Sequence, residues 1–206
     1  MEPLAPDLLA RVAARLDRQH RVVLGICGAP GAGKSTLAEA VVAAFDDAVY
    51  VPADGFHLAD AELTRLGRLD RKGAIDTFDG YGYLALLQRI RAHPSHTVYA
   101  PAFQRDLEQP IAGSIPVAPD ARLIVTEGNY LLDDDAPWPA VRDLLDEVWF
   151  IDVARSQRQR RLIKRHTQFG KTTQQARAWV RDVDEPNAAR IQACRHQADL
   201  IVPFPI

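Results

Sequence analysis

The octapeptide GAPGAGKS occupies residues 28–35, and the apolar run Val22-Val23-Leu24-Gly25-Ile26 lies directly before it. The apolar, partly β-branched run predicts a buried strand, and residues 34–45 predict a helix. The octapeptide fits the spacing G-x-x-x-x-G-K-[ST], which between a strand and a helix predicts a loop that binds phosphate. We call residues 28–35 the phosphate-binding loop. An ordinary glycine-rich turn is the alternative, but the motif is complete and its context fits.

Each residue type in the phosphate-binding loop has a chemical use. Gly28, Gly31 and Gly33 allow the backbone N–H groups to turn inward around phosphate oxygens, because a Cβ atom would block that approach. Lys34 brings a positive charge to the β- and γ-phosphates, and Ser35 offers its hydroxyl to Mg²⁺. The dipole of the following helix favours the same anion. The predicted nucleotide-binding residues here are Gly28, Ala29, Pro30, Gly31, Ala32, Gly33, Lys34, Ser35 and Thr36.

The composition is that of an ordinary globular protein. The chain has 206 residues, 47% hydrophobic and 25% charged, with a formal net charge of −2. We expect one domain over residues 1–206, without nucleic-acid or membrane partners. Cys27 and Cys194 are the two cysteines, so we expect no disulfide framework and a cytoplasmic location.

Short apolar runs alternate with helical patterns along the chain, which predicts a mostly parallel sheet covered by helices on both faces. Residues 100–113, which contain proline, are predicted to form a loop. Further strands are predicted at residues 48–52, 97–99, 114–117, 121–126, 147–151 and 200–202, and helices at 1–16, 83–91, 137–145, 155–166, 173–181 and 186–198.

Asp54 and Glu127 are the two candidate acids. Each follows a predicted strand, and open α/β sheets bind ligands beyond the carboxyl ends of their strands. Asp54 is the candidate base for the acceptor hydroxyl, because phosphoryl transfer needs little beyond positioning and such a base. Glu127 is the candidate ligand of Mg²⁺, directly or through water, and it also borders the acceptor. A turn or capping acid is the alternative for both.

The sequence RSQRQRRLIKRH follows the predicted strand at residues 147–151. Arg158, Arg161 and Arg165 are spaced by three and four, so they share one helical face. Such a face can clamp phosphates and stabilise transition-state charge. A solvated basic surface is the alternative. We predict that Arg161 and Arg165 are catalytic together with Lys34, and that Arg158 binds nucleotide.

Three weaker candidates lie in the polar middle of the chain. His57, Phe103 and Arg105 are candidates for the acceptor pocket, although core packing explains such an aromatic residue equally well. No metal-ligand spacing connects the histidines and cysteines, so structural zinc is not expected.

The motifs together resemble the phosphoribulokinase/uridine kinase superfamily of P-loop kinases, which includes the bacterial type of pantothenate kinase. The resemblance rests on GAPGAGKS, DGFH, DTFD, VTEGNYLL and the arginine-rich run after FID. It implies an α/β fold, namely a three-layer α/β/α P-loop NTPase with a five-stranded, mostly parallel sheet. It also implies an arginine-rich lid at about residues 153–172, and such kinases often form dimers.

The resemblance carries over to single residues. DGFH is similar to the segment that supplies the catalytic aspartate, here Asp54, and VTEGN to the second acidic motif, here Glu127. RKGAIDTFD keeps Asp76 for the substrate but lacks the first aspartate of the uridine kinase pattern, and PAFQRDLEQP lacks its histidine. Both departures argue against a nucleoside. DEPNAARI occurs in related chains and implies that Asn187 lies near the nucleotide; a simple helix start is the alternative.

We therefore expect an ATP- and Mg²⁺-dependent kinase that phosphorylates a hydroxyl of a small metabolite, preferably a sugar or sugar-like alcohol. DGFHL, KGAIDTFD and FQRDLEQP resemble uridine kinase-like proteins labelled as fructose transport system kinases. We expect residues 55–113 to bind the acceptor. Alternatives are a uridine-type nucleoside kinase, a pantothenate kinase and a nucleotide-dependent regulatory P-loop NTPase. Against the last alternative, this chain contains no N-K-x-D motif, which reads guanine. A homodimer is the expected assembly.

Overall fold

A five-stranded parallel sheet forms the centre of the computed structural model, which describes residues 4–203. The strands occur in the order β2-β5-β1-β6-β7, and every neighbouring pair is parallel. This arrangement puts β1, which leads into the phosphate-binding loop, between β5 and β6. The strands are β1 (Val22–Cys27), β2 (Ala48–Tyr50), β3 (Val98–Gln104), β4 (Gln109–Val117), β5 (Leu123–Gly128), β6 (Glu147–Asp152) and β7 (Leu200–Pro203).

Helices cover both faces of this sheet. One face packs on α1 and α2, and the opposite face packs on α4, α5 and α8. The helices are α1 (Pro6–Leu16), α2 (Lys34–Val42), α3 (Asp60–Arg65), α4 (Gly80–Arg91), α5 (Trp138–Arg142), α6 (Arg155–Gln168), α7 (Thr173–Trp179) and α8 (Glu185–Ala193).

The central strand shows why this sequence forms three layers. All six residues of β1 are buried, because alternate side chains point to opposite faces of a strand. Val22, Leu24 and Ile26 join the cluster under α1 and α2, whereas Val23 and Cys27 join the cluster under α4 and α5. Both cysteines are free. The predicted α/β/α fold with a five-stranded parallel sheet is confirmed.

The segment predicted as a loop at residues 100–113 is instead most of an antiparallel hairpin, β3 and β4. The prediction was wrong because proline was taken as a strand breaker. In a two-stranded ribbon each strand is an edge, so a proline nitrogen can face outward without losing a ladder hydrogen bond. A register shift between Ala100 and Ala102 also leaves Pro101 outside the paired residues.

Several predicted helices have different ends in the structure. The helix predicted at 1–16 begins at Pro6, and residues 1–3 lie outside the described range. The two helices predicted after residue 173 are joined by a π-helical segment, Val180–Asp184. None of the helices formed by residues 4–203 has the length and apolar composition needed to cross a membrane.

Helix α1 is attached to the sheet by a buried carboxylate. Glu147 has only 1% of its side chain exposed and accepts hydrogen bonds from the Nε atoms of Arg11 and Arg15. Its carboxylate also accepts a 2.7 Å bond from the indole N–H of Trp149. Burial raises the pKa of Glu147, but these donors outweigh burial and hold the pKa below its ordinary value.

We expect Glu147→Gln to lower the free energy of unfolding by about 1–3 kcal/mol, because two charge-assisted bonds are lost at a buried site. Urea denaturation measures this change. A depressed folded-state pKa stabilises the fold above the unfolded pKa, so the difference between wild type and variant should shrink below about pH 4.5. Glu62→Gln is the control, since its partner Arg65 is 69% exposed. An equal effect of both variants would contradict the assigned role of Glu147.

Candidate active site

The phosphate-binding loop connects the buried end of β1 to the start of α2. Gly31 has φ +76° and Gly33 has φ +101°, both in the left-handed region that favours glycine. A Cβ atom on Gly31 would also lie 2.9 Å from the backbone oxygen of Arg158 and 2.9 Å from Leu162. Position 31 therefore requires glycine for two reasons. The turn of the loop needs a positive φ, and the contact with α6 leaves no room for a Cβ atom.

Arg158 and Arg161 bind the loop backbone. Arg158 is buried; its guanidinium donates to the Pro30 carbonyl at 3.3 Å and lies 3.4 Å from Glu185. Arg161 donates to the carbonyls of Gly31 and Ala32, both at 3.3 Å. Arg158 thus supports the loop from behind and lines neither of the two cavities described below.

Lys34 extends from the first turn of α2 into the site. Its ammonium donates a 2.7 Å hydrogen bond to the side-chain oxygen of Asn129 and contacts the Ala29 carbonyl at 3.4 Å. Burial lowers the pKa of Lys34, and the carboxylates of Glu127 and Asp54 counteract that effect. Asn129 thus holds the lysine beside the loop.

Ser35 and Glu127, the candidate ligands of Mg²⁺, contact each other in the structure. The Ser35 hydroxyl donates to Glu127 Oε1 at 3.1 Å, and the Tyr50 hydroxyl donates to the same atom at 2.9 Å. Burial and the nearby Asp54 raise the pKa of Glu127, although Lys34 opposes this. Residues 4–203 contain no group of three or more His, Cys, Asp or Glu that could hold a metal by themselves. The pair fits Mg²⁺, which takes one or two protein oxygens and completes its shell with phosphates and water.

Asp54 lies in a single 3₁₀ turn, Ala53–Phe56, just after β2. Its carboxylate has 28% of its surface exposed and lies 3.3 Å from the guanidinium of Arg105. Burial raises the pKa of Asp54, but His57, Arg105 and Lys34 together bring it below the ordinary value. Asp54 is therefore a carboxylate at neutral pH, which a proton acceptor must be.

His57 and Phe103 form an aromatic wall next to Asp54. The ring of His57 lies 4.0 Å from that of Phe78 and 5.0 Å from that of Phe103. Its Nδ1 is 2.8 Å from the Asp54 carbonyl. Burial lowers the pKa of His57. The hairpin, whose residues 100–113 were predicted as a loop, thus brings Phe103 and Arg105 next to Asp54.

Two cavities meet at the phosphate-binding loop. The phosphate cavity, about 210 Å³, is bordered by the loop, Thr36, Arg161 and Leu162. The acceptor cavity, about 430 Å³, extends past Asp54 and the hairpin. The two cavities share four residues, which are Gly31, Lys34, Ser35 and Arg165.

Arg165 differs from the other two predicted lid arginines. It borders both cavities, and within the described part of the chain its guanidinium contacts no carboxylate and donates no hydrogen bond. Burial and the like charge of Arg105 lower its pKa. A desolvated cation without a direct partner is suited to an anionic ligand.

Two further predicted site residues, Asp76 and Asn187, have different positions relative to the acceptor cavity. Asp76 pairs with Arg71 at 2.8 Å and with Arg68 at 3.3 Å, and it does not border the acceptor cavity. Asn187 borders that cavity, but its amide points to the Gly73 carbonyl at 3.5 Å rather than to the phosphate-binding loop.

Several residues of the site escaped sequence reasoning. The sequence contained a signal for Asn129, because this residue comes two positions after Glu127. Side chains two positions apart on an extended chain lie on the same face. No sequence pattern indicated Tyr50, because its contact with Glu127 depends on the pairing of β2 with β5. Sequence reasoning also missed Lys72, Lys171, Trp179 and Asp184, which line the far wall of the acceptor cavity.

Comparisons with known proteins identify the family of this chain. The chain matches the phosphoribulokinase/uridine kinase family over residues 23–205. The ATP-dependent kinase-like protein notR' of Aspergillus versicolor is 38% identical over 124 residues, 57% of this chain and 72% of that protein. "Putative uridine kinase C227.14" of Schizosaccharomyces pombe is 32% identical over 174 residues, 80% of this chain and 74% of its own.

A solved structure is similar over almost the whole chain. It is the crystal structure of a protein named "putative fructose transport system kinase" from Silicibacter sp. TM1040, with a TM-score of 0.87 and 37% identity. The alignment covers 96% of this chain and 98% of that one. A phosphate-binding loop on a parallel sheet, facing an acid and a cation-lined cavity, defines a P-loop kinase. The chain belongs to the phosphoribulokinase/uridine kinase family, as its motifs predicted.

The different surroundings of Arg158 and Arg165 predict effects of different size on stability. Arg158→Gln should lower the free energy of unfolding by about 1–3 kcal/mol, because it removes bonds of a buried guanidinium to the loop and Glu185. Arg165→Gln should change it by less than about 0.5 kcal/mol, since no direct partner is lost. Chemical denaturation without nucleotide measures both. A larger loss for Arg165→Gln would contradict this division.

Proposed function

We propose that the chain is an ATP- and Mg²⁺-dependent kinase that transfers the γ-phosphate to a hydroxyl of a small metabolite, preferably a sugar or sugar-like alcohol. The observation that carries the proposal is the junction of the two cavities at Lys34, Ser35 and Arg165. A donor phosphate bound in the smaller cavity would have its terminal group at the mouth of the larger one. Two separate compartments that meet at cationic side chains suit transfer between two substrates.

The residues divide the work of the reaction. The phosphate-binding loop and Lys34 bind the donor phosphates. Asp54 accepts the proton of the acceptor hydroxyl as its oxygen bonds to the γ-phosphorus, and the bond from that phosphorus to the β–γ bridging oxygen breaks to release ADP. Arg165 stabilises the charge on the transferring group from the lid side. Ser35 and Glu127 would hold Mg²⁺, which would supply charge neutralisation for the donor phosphates when bound.

In this scheme Arg105 also helps to bind the acceptor. In the structure its guanidinium lies 3.3 Å from the Asp54 carboxylate. In the reaction, an acceptor hydroxyl must reach the same carboxylate. Both side chains of this pair are partly exposed to solvent. Replacing the contact of Asp54 with Arg105 by a contact with a substrate hydroxyl therefore costs little free energy. Arg105 then remains beside the acceptor as a hydrogen-bond donor.

The lining of the acceptor cavity supports a polyhydroxylated acceptor. Besides the wall of His57 and Phe103, most of its lining side chains are charged or amide groups, which suit a molecule rich in hydroxyls. The 37% identical relative, named a fructose transport system kinase, supports the same class. The alternatives are a nucleoside, which the name of the yeast relative favours, and pantothenate.

A coupled assay of ADP release tests the proposal over sugars, sugar alcohols, uridine and pantothenate, each with ATP and Mg²⁺. We expect turnover that depends on a sugar-type acceptor and disappears with EDTA. Turnover with uridine alone would replace the sugar by a nucleoside. Hydrolysis that no acceptor stimulates would indicate the regulatory NTPase instead.

Asp54→Asn should lower kcat by about 10²–10⁴-fold, the usual contribution of a positioned base. The affinity for ATP should stay within about threefold, because Asp54 borders only the acceptor cavity. Steady-state kinetics and nucleotide titration measure the two effects. Asp70→Asn is the matched control, since Asp70 is exposed and borders neither cavity. An undiminished kcat in Asp54→Asn would mean that another group takes the proton.

A further inference from the structure

We propose that the acceptor carries an anionic group, a carboxylate or a phosphate, and that Lys171 binds this group on the lid side of the acceptor cavity. The inference rests on the proposed function and specifies its substrate class. Lys171 borders the acceptor cavity but not the phosphate cavity, so its charge is available to the acceptor rather than to the donor phosphates.

The backbone holds Lys171 in place from both sides. Gly170, with φ +94°, turns the chain after α6, and the Lys171 N–H donates to the His166 carbonyl at 3.1 Å. The next residue, Thr172, caps α7 by a reciprocal pair of bonds with Gln175 of 3.2 and 2.9 Å. A residue between a helix C-terminal turn and a capping box has little backbone freedom.

The side chain of Lys171 is positioned as well. Its ammonium lies 4.5 Å from the ring centroid of Trp179, which also borders the cavity. The ring of Trp179 lies 6.3 Å from that of His166, and His166 Nε2 lies 2.8 Å from the Asp184 carboxylate. A cation–π contact orients an ammonium without using its N–H donors, so these donors remain for a ligand.

The other lysine and arginine side chains that border the acceptor cavity alone already have carboxylate partners. Lys72 lies 2.6 Å from Asp60, and Arg105 lies 3.3 Å from Asp54. Lys171 makes no ion pair with any carboxylate within residues 4–203. An oriented, unneutralised ammonium inside a ligand cavity is the arrangement that binds an anion.

The acids of the cavity do not neutralise this charge. Asp184 lies 2.8 Å from His166, and Glu127 accepts hydrogen bonds from Ser35 and Tyr50. Glu108 lies in the turn of the hairpin with an exposed side chain. Its backbone carbonyl, not its carboxylate, accepts a hydrogen bond from Lys72. The lid side of the cavity is therefore the part best suited to a negative group.

Matched pairs of acceptors test the charge preference. Glycerol is compared with glycerate, glucose with gluconate, and ribose with ribose 5-phosphate, with ATP and Mg²⁺ constant and ADP release as the readout. We expect kcat/KM at least about tenfold higher for the anionic member of the pair whose carbon skeleton fits, as one charge-assisted hydrogen bond supplies. The first two pairs report on a carboxylate and the third on a phosphate.

Substitution of Lys171 tests the residue itself. Lys171→Gln should raise KM for the anionic acceptor about 10–100-fold, with kcat and KM for ATP within about threefold. Lys171→Arg should restore most of the affinity, because it keeps the charge. Lys164→Gln removes the same charge from an exposed position of α6 that borders neither cavity, and it should leave all constants unchanged.

The outcomes distinguish a failure of the anionic acceptor from a failure of the proposed kinase function. Turnover of neutral members only, or an unchanged KM in Lys171→Gln, would overturn the anionic acceptor and leave the kinase assignment standing. A rise in KM that Lys171→Arg does not reverse would also overturn it, since the effect would then be one of shape. Absence of acceptor-dependent ADP release with every compound would overturn the proposed function itself.

Discussion

The packing of the phosphate-binding loop on α6 is the contact on which the site depends. Only hydrogen fits at Gly31, where the backbone of Arg158 and the side chain of Leu162 lie within 2.9–3.4 Å of the position of a Cβ. The arginines of α6 then satisfy loop carbonyls from behind, so the loop N–H groups remain free to turn toward phosphate. One contact therefore shapes the donor site and also fixes where α6 presents Arg165.

The two acids of the site have opposite electrostatic environments. Asp54 faces His57 and Arg105, which hold its pKa low, whereas burial next to Asp54 raises the pKa of Glu127. Environments that separate two carboxyl groups in this way separate their roles. In the proposed scheme Asp54 accepts the proton of the acceptor hydroxyl, and Glu127 lies beside Ser35 where it can bind a cation.

The donor and acceptor sites have different structural origins. The donor site is local, since one loop and its two flanking elements supply most of its groups. The acceptor cavity combines the turn after β2, the hairpin, the end of α6 and the segment from Trp179 to Asn187. Changes in any of these peripheral segments can alter the acceptor without disturbing the loop, which is why family membership alone leaves the substrate open.

The sequence by itself determined the α/β fold, the phosphate-binding loop and the positions of Asp54 and Glu127 at strand ends, because periodicity and glycine spacing are local properties. Tertiary structure alone decided that residues 100–113 pair as a hairpin and bring Arg105 to Asp54. It also decided that Arg158 supports the loop, that Asp76 stays outside the cavity and that Lys171 enters it. These outcomes depend on strand order and on contacts between distant segments, and local spacing carries no information about either.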